Sequence, residues 1–327
     1  MPDMKTLLRK AAGEDCILEQ ESMKKHTTFH IGGPADYFAA PTTAEGVQRI
    51  VQLCREEEYP FYVIGNGSNL LVSDQGYRGL VLQLYKNFSE ITISAPDRGR
   101  STIVSQSGAM LSVIAKRALE AGLTGFEFAS GIPGTLGGAV VMNAGAYGGE
   151  MKDVLISATV LDRSGEIREI PLPELALGYR QSAVSANGWI VLGARITLTC
   201  GETEAIRGHM EELKRQRVQK QPLELPSAGS TFKRPEGFFA GKLIMDAGLR
   251  GYMVGGAQVS EKHCGFVVNR GGATAADVRK LIADVRARVY EASGVTLEPE
   301  IRMLGTFDED GTPGGCGHPA HPEDGFG

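Results

Sequence analysis

Apolar residues recur at helical spacing in three stretches of the chain. Val47, Ile50, Val51 and Cys54 fall at i, i+3, i+4, i+7 behind a Thr42 or Thr43 cap. Leu111, Ile114, Ala115, Ala118 and Leu119 mark a second helix over residues 110–121, with Gly122 at its C′ position. Val278, Leu281, Ile282, Val285 and Val289 mark a third, opened by a Thr274/Asp277 capping box and stopped by Gly294. Short β-rich runs read as strands over residues 36–40, 61–65, 79–84, 102–108, 154–162, 167–171, 189–199 and 298–304. Residues 1–21 read as a short charged helix. Residues 203–220 form a long polar helix ending at Pro222, with the composition of a connector, which sets a boundary near residue 200.

Two glycine-rich stretches interrupt this pattern. Residues 127–147, EFASGIPGTLGGAVVMNAGAY, interleave glycines with Ile132, Leu136, Val140, Val141 and Met142, so they read as a packed loop and not a linker. Glycine admits positive φ and close approach of backbone N–H groups, and successive N–H groups in such turns make an anion-binding concavity. Residues 65–74, GNGSNLLVSD, begin like a dinucleotide fingerprint. The sixth position is Leu70, however, and a strand follows where a Rossmann glycine loop would open a helix. The Rossmann reading fails, and the two stretches read as halves of one phosphate cradle.

Composition narrows the class. An apolar fraction of 42% and a charged fraction of 22% are those of a soluble globular protein, and 327 residues allow two or three domains. A net charge of −5 argues against nucleic acid as partner, and the basic run at residues 214–217 reads as a solvated helix face. Five cysteines without CxxC spacing make neither a disulfide framework nor a zinc site. No apolar run resembles a signal peptide or a membrane span, so a cytoplasmic location is expected. His26 and His30 lack partner ligands at metal spacing and read as ordinary loop histidines. The tail, residues 307–327, is rich in Gly, Pro, Asp and His; it reads as disordered, with Cys316, His318 and His321 forming no functional metal site.

GNGSNLLVSD, SGIPGTLGGAVVMNAGAYGGE, LGYRQS, PSAGSTFKRP, GGAQVSEKHCGFVVNRG and LEPEIRMLG occur in this order over residues 26–305. Together they resemble the UDP-N-acetylenolpyruvoylglucosamine reductase (MurB) family of peptidoglycan precursor synthesis. The resemblance implies an α+β chain with an FAD-binding fold of the vanillyl-alcohol oxidase type, made of two α/β subdomains, plus a C-terminal α/β substrate-binding domain. The corresponding boundaries are an N-terminal helical segment at 1–25, the FAD-binding domain at 26–200 (subdomains 26–95 and 96–200), and the substrate domain at 201–306. It implies FAD held by Gly65, Asn66, Gly67, Ser68, Asn69 and Leu70 on one side. Ser130, Gly131, Ile132, Pro133, Gly134, Gly137, Gly138, Asn143, Ala144, Gly145 and Tyr147 would hold the other, with Arg302 near the flavin. NADPH is the implied reductant and a UDP-sugar enolpyruvyl ether the implied substrate, with no obligate protein partner. Residues between Arg180 and Ser230 read as a strand and one helix, which resembles the family's shorter subclass, lacking an inserted tyrosine loop.

The implied chemistry assigns Arg180 and Glu300 to the substrate carboxylate and Ser230 to protonation of the α-carbon. Glu300 is expected to be protonated or to share a proton in the reactive complex; a strand-end ion pair with Arg302 is its plain structural alternative. Lys233 is placed to assist Ser230, and Arg217, Lys233 and Arg234 are the cations nearest by position for the diphosphate. A Ser-His-Asp hydrolase reading of Ser230 fails for want of a G-x-S-x-G context. Two other readings stand beside the reductase: a flavin oxidase of the same fold, with rapid oxygen reactivity, and a nucleotide-binding module inert to NADPH.

Overall fold

The structure is a computed structural model and describes residues 3–13 and 16–307; the tail at 308–327, with Cys316, His318 and His321, lies outside the described residues. Three sheets carry the chain. In the first, strands Ile17–Ser22, Pro34–Ala39, Tyr77–Gln83 and Phe61–Ile64 lie side by side, the first pair antiparallel and the rest parallel. The helix Ala44–Glu56 covers it, with Val47, Ile50, Val51 and Cys54 buried and Thr43 Oγ1 accepting from Gly46 N at 3.0 Å. Burial raises the Cys54 thiol to about 12, so it is an inert core group.

The second sheet is antiparallel, in the order Ile167–Pro171, Leu155–Leu161, Ile190–Cys200, Arg100–Gln106, Ile91–Ile93. Helix Leu111–Glu120 buries its five apolar residues and packs four of them, Leu111, Ile114, Ala115 and Ala118, into the core beneath it. The third, also antiparallel, runs Ser227–Ser230, Phe266–Asn269, Ala257–Val259, Met253–Val254. Helix Ala275–Ser293 lies on it and opens with the reciprocal Thr274–Asp277 capping box. A parallel pair, Leu70–Val72 with Arg302–Leu304, ties the strand after the first glycine loop to the end of the described chain.

Three expectations are corrected. Residues 1–21 are not one helix: Met4–Ala12 is helical, and Ile17–Ser22 is a strand whose mostly exposed pattern hides its pairing with Pro34–Ala39. The second glycine stretch contains a helix, Leu136–Met142, packed against the strand Ile190–Cys200. Phe307, assigned to the tail, packs on the third core with the Arg279 guanidinium 5.0 Å from its ring. The helix Thr203–Lys220 does more than connect. It packs on Leu111–Glu120 and on the turn Glu127–Ala129, burying Ile206 and Leu213.

Candidate active site

The two glycine loops face each other. A Cβ on Gly65 would sit 2.1 Å from Thr135 Oγ1, and one on Gly67, at φ +60°, would sit 2.1 Å from the carbonyl oxygen of His26. At Gly67 both space and backbone conformation require glycine, and at Gly65 space does, against the Thr135 side chain. Asn66 Nδ2 donates to Pro133 O at 2.7 Å, joining the loops directly. Between them the hydroxyl of Ser107, a buried residue, makes no hydrogen bond within the protein. An unsatisfied buried hydroxyl costs about 1–3 kcal/mol, so this one points to a polar ligand atom. Ser107 lines a cleft with Gly65, Thr135, Gly137 and Gly138, backed by Val63 and Val141. A cavity of about 490 Å³ is walled by Asn66, the residue after Gly65, and lined further by His26, Thr28, Gln83 and Tyr85. Apolar walls, a free hydroxyl and Cβ-free loops suit a dinucleotide cofactor. Ser107, Thr28 and Tyr85 belong to neither glycine motif, so sequence reasoning passed over them.

Other predicted cofactor residues vary in placement. Ser130 Oγ donates to Glu127 O, and Ser68 Oγ lies 3.8 Å from where a Gly134 Cβ would be. Asn143 is buried at φ +42°; its Nδ2 donates to Glu150 Oε2 at 2.6 Å and to Gly178 O at 3.3 Å, so it supports the loop that carries Arg180. Tyr147 is exposed, and Arg302 is exposed with its amide donating to Asn69 O.

The catalytic candidates converge from three parts of the chain. Arg180 sits in a tight turn at φ +56°, and its Nε donates to Glu300 Oε1 at 2.5 Å. Glu300 thus pairs with Arg180 and not with Arg302. Its main-chain N–H donates to Thr231 O at 2.8 Å, which sets Glu300 beside the end of the Ser230 strand. Its carbonyl accepts from Asn69 Nδ2 of the first glycine loop at 3.2 Å. Burial pushes the Glu300 carboxyl above the usual range, against the opposing pull of Arg180 and, more weakly, Lys233.

The cations divide. Lys233 Nζ lies 3.1 Å from Glu298 Oε2 at the surface. Arg234 is exposed, with its guanidinium 4.1 Å from the Phe239 ring. Arg217 packs elsewhere, its side chain against Gly131 of the second loop; burial lowers its pKa, and Tyr147 acts in the opposite sense. Among the described residues no group of three His, Cys, Asp or Glu is placed to hold a metal ion. His26 instead bonds Glu21 at 3.0 Å and lies against Phe38.

The profile of an FAD-binding domain matches residues 35–171, and that of the UDP-N-acetylenolpyruvoylglucosamine reductase C-terminal domain matches residues 221–304. The UDP-N-acetylenolpyruvoylglucosamine reductase of Agathobacter rectalis is 57% identical over 298 residues, covering 89% of this chain and 95% of the relative. The chain belongs to the UDP-N-acetylenolpyruvoylglucosamine reductase family. The reductase of that name from Clostridioides difficile is 50% identical over 91% of this chain and 96% of the relative. Among solved structures, the MurB of Thermus caldophilus superposes with a TM-score of 0.72 at 36% identity, covering 88% of this chain and 98% of that one. As a family member the chain is an FAD-dependent oxidoreductase with NADPH as reductant. Its FAD-binding fold is followed by the C-terminal reductase domain. Among the described residues no helix is long and apolar enough to cross a membrane.

Proposed function

We propose that this chain reduces the enolpyruvyl ether of UDP-N-acetylglucosamine to UDP-N-acetylmuramate, with NADPH as electron source, as a cytoplasmic step of peptidoglycan precursor synthesis. Cell-wall biogenesis, cell shape and division depend on that step. The carrying observation is the Arg180–Glu300 contact, bracketed by Thr231 on one side and Asn69 of the flavin loop on the other.

FAD held between the two glycine loops, once reduced by NADPH, would supply the hydride for the β-carbon of the enolpyruvyl group. The protein residues handle the charge and the proton. An isolated enol ether accepts hydride poorly unless the attached carboxylate takes up charge developing at the α-carbon. Arg180 forks onto that carboxylate with charge-assisted hydrogen bonds. Glu300, with its raised pKa, carries or shares a proton and donates to the same group, since a second negative charge there would raise the barrier. Ser230 delivers a proton to the α-carbon, completing net addition of one hydride and one proton across the double bond. Lys233 and Arg234 supply positive charge three and four residues beyond it for the diphosphate, while Arg217, packed against Gly131 of the second loop, stands apart from them. Gly65–Leu70 and the segment from Ser130 to Gly138 would hold the cofactor's diphosphate, through those backbone N–H groups that do not, like Ile132, Leu136 and Gly137, already donate within the protein.

The test is to purify the protein, record its flavin spectrum and follow NADPH consumption with and without the enolpyruvyl nucleotide. Consumption that depends on the nucleotide supports the reading. Rapid consumption coupled to oxygen alone contradicts it.

A further inference from the structure

The helix Ala275–Ser293 begins with more free donors than its own cap satisfies. Thr274 Oγ1 accepts from Asp277 N at 3.0 Å and Asp277 Oδ2 accepts from Thr274 N at 3.0 Å, which closes the capping box. The amides of Ala275 and Ala276, the first two of the helix, have no intrahelical acceptor. Asp74 takes both. Its Oδ1 accepts from Ala275 N at 2.9 Å and its Oδ2 from Ala276 N at 3.0 Å. Asp74 belongs to the FAD-binding domain, in the turn after the strand Leu70–Val72, 201 residues before Ala275. One helix is thus capped in two halves, by the residues that open it and by a carboxylate from another domain, where negative charge is favourable.

Both sides of this contact are firmly held. Ser73 O accepts from Gly33 N at 2.8 Å and from Gly76 N at 2.9 Å, while Ser73 N donates to Leu304 O at 2.9 Å and Ser73 Oγ donates to Thr306 O. A Cβ on Gly33 would sit 2.2 Å from Asp74 O and one on Gly305 2.1 Å from Gly76 O, so the turn is wedged between two glycines. On the helix, Val278, Leu281, Ile282, Val285 and Val289 share one core with Ala228 and Phe232, on either side of Ser230, and with Leu297 and Ile301, on either side of Glu300. Arg286 Nε of the same helix donates to Leu297 O at 3.0 Å. A close-packed interior transmits displacement, so a shift of the helix carries Ser230 and Glu300 with it. Arg180 is carried by a different body, since Leu175, Leu177 and Val184 around it pack on the core of the second sheet.

We propose that Asp74 is a positioning residue for the reaction: by gripping the start of this helix it sets the register of Ser230 and Glu300 against Arg180 and the flavin loops. The inference rests on the roles given to those residues in the functional reading above. Two other joins, Thr28 Oγ1 to Ser227 O at 2.7 Å and Asn269 Nδ2 to Phe29 O at 3.1 Å, hold the sheet of the C-terminal domain; Asp74 holds the helix that lies on it. Ser230 and Glu300 act only in the substrate half-step, so that step is the one a lost grip slows. A displacement of about 1 Å can cost about 10²-fold in rate. Asp74 is exposed, so truncating it opens no cavity.

The test compares Asp74→Ala, Asp74→Asn and Thr274→Ala in the FAD-loaded protein by stopped flow, with flavin content and melting temperature checking loading and folding. Thr274→Ala strips the helix of its own cap and leaves the contact between the domains. Asp74→Ala is expected to slow reoxidation by the enolpyruvyl nucleotide about 10-fold, while reduction by NADPH changes by no more than about 2-fold. Asp74→Asn keeps one acceptor oxygen and should fall in between. Thr274→Ala should reoxidise close to the wild-type rate even where it lowers the melting temperature. Should Asp74→Ala lose its flavin, Asp74→Asn decides by the same comparison. Wild-type reoxidation in the Asp74 variants, equal slowing of the two half-steps, or a Thr274→Ala defect as large as that of Asp74→Ala overturns the assignment and leaves the functional reading intact. A wild-type flavin that NADPH reduces and the nucleotide does not reoxidise overturns the functional reading itself, and the positioning role with it.

Discussion

Asn69 Nδ2 donates to the carbonyl of Glu300 at 3.2 Å across 231 residues of chain, and Asn69 O accepts from Arg302 N at 2.9 Å. A residue of the flavin loop thereby brackets the main chain that carries Glu300, and the parallel pair Leu70–Val72 with Arg302–Leu304 extends the connection. Removing the amide leaves the Glu300 backbone free to shift by the few tenths of an ångström that oriented catalysis does not tolerate. Asn69→Ala is expected to slow oxidation of the reduced flavin by the enolpyruvyl nucleotide about 10-fold more than it slows reduction by NADPH. Stopped-flow absorbance separates the two; equal slowing would reduce Asn69 to a loop residue.

Glu300 acts, in this account, as a hydrogen-bond donor or proton-sharing group. Glutamine keeps both an acceptor for Arg180 Nε and a donor, whereas alanine loses both. Glu300→Ala should cost roughly 10²–10³-fold in the substrate half-step, the size of losing one oriented donor, and Glu300→Gln should lose far less. Equal losses in single-turnover measurements would point to the negative charge itself as the working feature.

The raised pKa of Glu300 also predicts a stability slope. Burial is the leading cause, so the folded state holds this proton to higher pH than the unfolded chain, whose value is near the ordinary 4.5. Between the two values the folded state binds more protons, and stability falls as pH rises through that window. Relative to Glu300→Gln, the wild type should lose stability from about pH 4.5 upward until the carboxyl is fully ionised. Urea melts at a series of pH values check this. A difference that grows in favour of the wild type with rising pH would mean Arg180 outweighs burial.

Gly67 combines φ +60° with a Cβ position 2.1 Å from His26 O. Gly67→Ala must displace backbone, at a cost of order 1–3 kcal/mol or more. The expected outcome is protein purified with much less flavin than wild type, measured as the ratio of flavin to protein absorbance. Full flavin content would show that the loop has slack the geometry does not suggest.

Much of this was legible in residue order. Helices announced by caps, such as Thr43 and Thr274–Asp277, fell where their apolar stripes put them, because local signals decide them. Ile17–Ser22 was misread because its burial comes from pairing with Pro34–Ala39, and ILEQES alone carries little apolar alternation. Leu136–Met142 hid among glycines, whose helix propensity is poor; tertiary packing against Ile190–Cys200 overrides it. The contacts of Asn69 with Glu300, and of Arg180 with Glu300 across 120 residues, have no local signature. The family resemblance named Arg180 and Glu300 as partners. It did not convey that the flavin loop holds one of them in place. Ser107 is a further case, since a lone serine at a strand end looks like any other until the cleft around it is seen.

The most direct measurement of the central claim is double-mixing stopped flow on FAD-loaded Ser230→Ala. The protein is first reduced with NADPH and then mixed with the enolpyruvyl nucleotide while flavin absorbance is followed. The account predicts reduction close to the wild-type rate and reoxidation slowed by about 10²–10⁴-fold, the range of a lost general acid. Reoxidation at the wild-type rate, or a defect confined to reduction, would contradict it.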